Sequence, residues 1–375
     1  MLFASQFGSV FGTIVPFLFV LSIVIFFHEL GHFLVGRLCG VKVDAFSLGF
    51  GPEVAHFVDR KDTRWRVGML PLGGYVKFHG DLNGASMSDE ASIAEMPAGE
   101  KAQTFFAQSV WKRAAIVAAG PIANFLLAIV IFTGIYLVHG RGVLVPEIDK
   151  VMPGSAAEAA GFAPGDIVVS IDGNKIDSFE DMQRIVQTSS DSPLTFIVDR
   201  HGKEVTLVAT PRRRDVSTPF GTSRAGVLGV EANASVANWH VQHYNLFDST
   251  RLAVGQTWFI IEQTGSYAGR LFTGRESTDQ LSGPIRIAEV SGEMAKIGIA
   301  ALLNLAAVLS ISIGILNLLP IPLLDGGHLF YYAVEAIRGK ALNERVQQVG
   351  FRIGLTLVVG LMILATYNDI LRLTK

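Results

Sequence analysis

The apolar residues of this chain are pooled into uncharged runs, and that pooling limits its fold more than any other feature. Residues 1–27, 114–138, 297–324 and 353–368 contain no Asp, Glu, Lys, Arg or His. The first three exceed the roughly 18–20 residues that span a bilayer as a helix; the fourth, at 16, spans only by borrowing its flanks. The expected fold class is a polytopic α-helical membrane protein with four transmembrane helices. The first run lacks a basic leader and a small-x-small cleavage signature, so it reads as a retained helix. A formal charge of −2 over 375 residues argues against a nucleic-acid partner, which would need a basic face. The single cysteine, Cys39, excludes an intrachain disulfide and an all-thiolate metal site.

Basic residues set the expected orientation. Arg37 and Lys42 follow the first run, Lys112 and Arg113 precede the second, and Arg338, Lys340, Arg345 and Arg352 follow the third. The positive-inside rule then puts residues 36–113 and 326–352 in the cytoplasm and both termini outside. Between the runs lie several expected pieces. Residues 37–110 form a cytoplasmic-side segment in which 65–78, W-R-V-G-M-L-P-L-G-G-Y-V-K-F, reads as two strands joined or kinked at Pro71 to Gly74. This hairpin is either buried or dips into the membrane against protein. Residues 84–104 read as a solvated loop. Residues 140–215 read as a small domain of alternating strands and two short helices, ending in a solvated P-R-R-R-D linker at 211–215. Residues 216–290 are then linker, with an interfacial helix over about 250–272 that sets Trp258 and Tyr267 at headgroup depth.

The chemistry concentrates at His28-Glu29-Leu30-Gly31-His32. Residues four apart on a helix share a face, so His28 and His32 can present imidazole nitrogens to one zinc ion, with Glu29 beside them as a base. Three ionisable groups at the end of an uncharged helix need partners inside the bundle. A third ligand is required, and Asp325 is the leading candidate, closing the run N-L-L-P-I-P-L-L-D-G-G at 317–327. Pro320 and Pro322 break the helix ladder before it, and irregular backbone at membrane depth belongs where it lines a site. His328 competes for the ligand position and ranks below Asp325. The amide of Asn317 either hydrogen-bonds a substrate carbonyl or satisfies the backbone freed by Pro320. Asn124, in G-P-I-A-N at 120–124, reads as packing glue between helices.

These motifs resemble the site-2 protease family of intramembrane zinc metalloproteases. H-E-L-G-H on a first helix, G-P-I-A-N-F on a second and N-L-L-P-I-P-L-L-D-G-G on a third are closest to the bacterial regulator-of-sigma-E branch. The resemblance implies that His28, His32 and Asp325 hold zinc (Zn2+), that Glu29 is the catalytic base and that Asn317 holds substrate or stabilises the transition state. Residues 143–210 resemble a PDZ domain through P-G-S-A-A at 153–157, G-F-A-P-G-D at 161–166 and I-D-G at 171–173. Larger relatives carry two PDZ domains in tandem; no second such pattern follows Thr210, which points to a single-PDZ form. Residues 65–78 resemble the family's membrane-associated β-hairpin, and Gly73, Gly74, Tyr75, Val76 and Lys77 are the expected edge for an unwound substrate.

The function implied is endoproteolysis of single-pass membrane proteins in a bacterial inner membrane, such as anti-sigma factors or remnant signal peptides, after a first external cut by a site-1-type protease. The PDZ-like domain would contact the substrate's external part or a peptide C-terminus. Two rival classes remain: an intramembrane metal carrier, and an inactive PDZ scaffold. Neither needs Glu29 as a base.

Overall fold

Among the described residues, four helices are long and apolar enough to cross a bilayer, spanning Phe11–Leu38, Val110–Val138, Ile299–Leu318 and Arg345–Arg372. A computed structural model describes residues 2–81, 96–218, 221–233, 238–272, 283–340 and 342–373; most of the 84–104 loop expectation lies outside the described residues. The chain divides into two units, one of residues 1–133 with 250–375 and one of 134–249.

The first unit opens with α1 (Leu2–Leu38), then β1 (Val43–Val58), β2 (Arg64–Phe78), the single turn α2 (Ala98–Lys101) and α3 (Val110–Val138). Both halves of β2 pair with the same stretch of β1: Ala45, Phe46, Ser47 and Leu48 face Arg64, Trp65, Arg66 and Val67 on one side and Lys77, Val76, Tyr75 and Gly74 on the other. Residues 65–78 therefore form two strand segments that fold back around Pro71–Gly74, in line with the expectation of two strands joined or kinked there. The turn between β1 and β2 lies at 59–63. There the Asp59 carboxylate accepts from the Lys61 and Thr63 backbone N–H groups, and Asp62 takes a left-handed φ of 60°. Between the two halves, Pro71 lacks an N–H for the ladder and Gly73 takes a φ of 148°, so pairing is interrupted where the chain folds back. Asp59 also receives Arg37 Nη2 at 2.6 Å and Trp65 Nε1 at 3.1 Å, and Thr63 Oγ1 donates to the Val43 carbonyl. Burial raises the Asp59 carboxyl, but these bonds outweigh it and hold its pKa at about 2. The turn is thereby tied to the C-terminal end of α1. A cluster of Phe33, Phe46, Phe78 and Phe105 fills the space between hairpin and helices.

The second unit contains β3 (Arg141–Leu144), β4 (Ile148–Val151), α4 (Ala156–Ala160), β5 (Ile167–Ile171), β6 (Asn174–Lys175), α5 (Phe179–Thr188), β7 (Leu194–Arg200) and β8 (Lys203–Ala209). It continues through β9 (Arg212–Thr218), β10 (Gly221–Val227), β11 (Val230–Ala232) and β12 (Trp239–Gln242). The main sheet runs β6-β5-β7-β8. Ser155 and Ser178 cap the two helices by accepting from N–H groups three residues on. The core gathers Ile148, Val168, Met182, Phe196 and Val198. The linker expected after 215 is corrected here: β9 pairs with β10, β11 with β4, and β12 with β3. Arginines at 212–214 were a misleading signal, because an edge hairpin can carry charge on a solvated face.

The chain then returns to the first unit with α6 (Leu246–Phe272), α7 (Pro284–Ile297), α8 (Ile299–Leu318), α9 (Asp325–Arg338) and α10 (Glu344–Leu373). Helix α6 is amphipathic, with Phe247 and Trp258 exposed and Ser249, Ala253 and Thr257 buried. Buried Asp369 of α10 caps α7, accepting from the N–H groups of Gly283 and Arg286 at 3.0 Å each. Helix α8 stops at Leu318 because Pro320 and Pro322 cannot extend it, and α9 starts afresh at Asp325.

Candidate metal centre

Helix α1 runs unbroken through 28–32, so His28 and His32 stack as successive turns with ring centroids 4.8 Å apart. Small residues let α3 press against them. A methyl added at Gly31 would lie 2.8 Å from both Ala119 C and Ala123 Cβ, and one at Gly120 would lie 2.5 Å from His32 Cε1. The third group arrives from the break between α8 and α9. Gly326 and Gly327 let α9 begin directly on the carbonyls of Leu318 and Ile321, and the Gly327 N–H donates to the Leu324 carbonyl at 3.0 Å. Leu323 holds a φ of 116°, a strained setting for a branched residue and one that recurs at functional sites. Asp325 therefore sits in the first turn of α9, where an anion is favoured.

Three ligand atoms converge within 4.8 Å of one another. His28 Nε2 lies 3.2 Å from His32 Nε2 and 3.2 Å from Asp325 Oδ2, which is 3.5 Å from His32 Nε2. Metal–ligand distances of roughly 2.0–2.1 Å in a tetrahedron require ligand–ligand edges of about 3.3–3.4 Å. The triangle fits zinc. Asp325 Oδ2 is buried and, despite this proximity, makes no hydrogen bond to either ring. Lone pairs facing one another at such a distance need a cation between them. The His32 Nδ1–H donates to the Ile116 carbonyl at 2.9 Å, which leaves Nε2 as the free lone pair.

A cavity of about 220 Å³ opens beside this triangle. His28, Glu29, His32, Asn317 and Asp325 all line it, as do Gly74, Tyr75 and Val76 of β2. Glu29 faces the Val76 backbone N–H. A methyl at Gly74 would lie 3.0 Å from Glu29 Cγ, so the strand and the Glu29 side chain are in close contact. Gly73 and Lys77 are not among the lining residues: Gly73 packs against the Phe50 ring, and Lys77 pairs with Ala45. His328 lines the cavity without joining the ligand triangle. Tyr332 and Phe351 complete the wall; as single aromatic residues in helical segments, neither carries a sequence signal. Asn124 was read as glue, yet its amide lies 3.3 Å from His28 Nδ1.

Two imidazoles, a carboxylate and an adjacent second carboxylate in a cavity among apolar helices are the parts of a hydrolytic metal site. The profile of peptidase family M50 matches residues 16–361. Among curated relatives, a protein of Agrobacterium fabrum with a provisional zinc-metalloprotease name is 48% identical over 364 residues, covering 97% of each chain. A similarly named protein of Rhizobium meliloti is 47% identical over 96% of each. Metalloprotease MmpA of Caulobacter vibrioides is 39% identical over 96% of this chain and 95% of its own. The match runs through both histidines, the broken segment and Asp325, and the chain belongs to the M50 family of zinc metalloproteases.

Proposed function

We propose that this protein is a site-2-type intramembrane endopeptidase, closest to the regulator-of-sigma-E branch, that cuts the membrane segments of single-pass proteins. One observation carries the reading: the His28–His32–Asp325 triangle and Glu29 share a cavity with Gly74, Tyr75 and Val76 of β2. Zinc bound there would polarise the scissile carbonyl and acidify the attacking water. Glu29 accepts the water's proton on its carboxylate and returns it to the leaving amide nitrogen. The Asn317 amide donates to a substrate carbonyl in the cavity. A membrane helix keeps its carbonyls paired, and leaving them unpaired in a dry site costs several kcal/mol. Gly74, Tyr75 and Val76 offer replacement main-chain bonds to an unwound segment added as a strand.

Residues 134–249 serve as a single PDZ-like domain on the outer side of a bacterial inner membrane, with both termini on that side. A groove of about 150 Å³ between α5 and residues 226–230, lined by Met182, Val186 and Leu228, suits an external peptide. Substrates of this kind include anti-sigma factors and remnant signal peptides trimmed by an upstream site-1-type protease. The test compares membranes containing the wild-type protein with membranes containing Glu29→Gln. The variant should keep its zinc while single-pass fragments accumulate. Fragment patterns that do not differ, or turnover that survives in Glu29→Gln, would overturn the reading; a carrier would transport metal in both.

A further inference from the structure

Each histidine of the centre has a polar partner on α3. Ile116 supplies a carbonyl to His32 Nδ1, and Asn124 lies 3.3 Å from His28 Nδ1. Residues 116, 120 and 124 fall at i, i+4 and i+8, so they share the face that meets α1, and the glycine between them leaves room for both rings. Asn124 has no accessible surface, and its own carbonyl accepts from Ser310 Oγ at 2.8 Å, which pins this turn of α3 to α8.

In one orientation of the Asn124 amide, Nδ2 faces His28 Nδ1 while Oδ1 is buried without a hydrogen-bond partner. An N–H donor at that place demands a lone pair on Nδ1. The proton then falls on His28 Nε2, the atom that faces His32 and Asp325, and a protonated nitrogen cannot bind a metal. Amide oxygen and nitrogen occupy interchangeable positions, and the network decides between them. With the amide turned over, Oδ1 accepts the His28 Nδ1 proton and Nε2 is freed. Nδ2 takes the place Oδ1 held, so the number of buried polar atoms without a partner does not rise.

We propose that Asn124 is a positioning residue: its side-chain carbonyl fixes the tautomer and orientation of His28, as the Ile116 carbonyl does for His32. It touches no substrate. The proposal rests on the zinc centre of the preceding reading and concerns metal affinity, which is measured apart from proteolysis. Zn2+ binding to the purified full chain in detergent, by chelator competition, compares wild type with Asn124→Leu, Asn124→Ala, Asn124→Asp and His28→Ala. Outer-shell partners of this kind are worth about 10–100-fold in metal affinity. The Leu and Ala variants should lose that much, while Asp, which keeps an acceptor, should stay within about threefold of wild type or bind more tightly. The visible spectrum of the Co2+-loaded protein should shift in the Leu and Ala variants and return in Asp, a response that mere packing would not produce. The Ala variant covers the case in which Leu fails to fold. Wild-type affinity in the Leu or Ala variant, or an Asp variant as weak as Ala, overturns the proposal. A wild type that binds no Zn2+ overturns both this and the peptidase reading. The expected affinity pattern in a protein that cleaves nothing overturns the peptidase reading alone.

Discussion

Replacing Gly120 by alanine tests how closely α3 supports the metal centre. The added methyl would stand 2.5 Å from His32 Cε1 and 2.9 Å from His28 Cε1, and closer still to His32 Nε2. Carbon atoms settle at about 3.5–4.0 Å, so the His32 ring or the helix must retreat by about 1 Å. Metal–ligand distances tolerate about ±0.2 Å. A shift of that size therefore removes a ligand, and the expected loss in zinc affinity is at least about 100-fold, or about 2.7 kcal/mol. If α3 moves instead, the cost appears as overpacking of about 1–3 kcal/mol in stability. Gly134 is the control, since a methyl there meets nothing within 4 Å; Gly134→Ala should keep full zinc affinity and gain up to about 1 kcal/mol of helix stability. Zinc stoichiometry after gel filtration, chelator competition and thermal melting in detergent read both variants. A Gly120→Ala protein with wild-type affinity and wild-type melting would refute the close packing argued here.

Burial raises the Asp81 carboxyl to about 8, with Asp44 adding to the shift and the Phe78 N–H and Lys77 opposing it. The folded chain thus keeps a proton that the unfolded chain loses above about pH 4, so stability falls as pH rises from about 4 to 8. Asp81→Asn should melt increasingly above wild type across that interval, and equal melting at pH 8.5 would remove the effect. Arg113 Nη2 and Glu335 Oε1 lie 2.5 Å apart, both largely buried, with Arg113 over the Tyr332 ring. Glu335→Leu alone should cost about 2–4 kcal/mol and the double variant with Arg113→Met less than the sum, because a single removal strands a buried charge; additive costs would refute the pairing. In the second unit, Phe196 is fully buried edge-to-face on Phe162, and Phe196→Ala should destabilise that unit by about 3–5 kcal/mol. Zinc content should hold, and limited proteolysis should report opening confined to residues 134–249.

The most legible parts of the site were those coded locally. His28 and His32 announce themselves because a fixed spacing maps onto one helix face, and Asp325 because an acid after Pro-x-Pro in an apolar run has few structural uses. Asn124 was not legible. A lone asparagine in an apolar helix looks the same whether it bonds a backbone or an imidazole, and its partner lies 96 residues earlier. The hairpin was legible only in its local half. Pro71 to Gly74 has turn chemistry and separates the two segments of β2, but both segments pair with residues 45–48, a partner that the local sequence does not reveal. Charge also misled at 212–214, where arginines on an edge strand resemble a linker.

The metal centre joins residues from opposite ends of the chain: His32 and Asp325 are separated by some 290 residues. At about 5–20 residues per second of synthesis, Asp325 leaves the ribosome roughly 15–60 s after His32. Throughout that interval the nascent protein holds Glu29 and the two imidazoles in the membrane without Asp325. Translation that stalls anywhere in the intervening domain leaves a product with no complete centre. The order of the chain therefore delays completion of the His28–His32–Asp325 triangle until the whole of the intervening unit has been made, and an aborted copy carries only two of its three members.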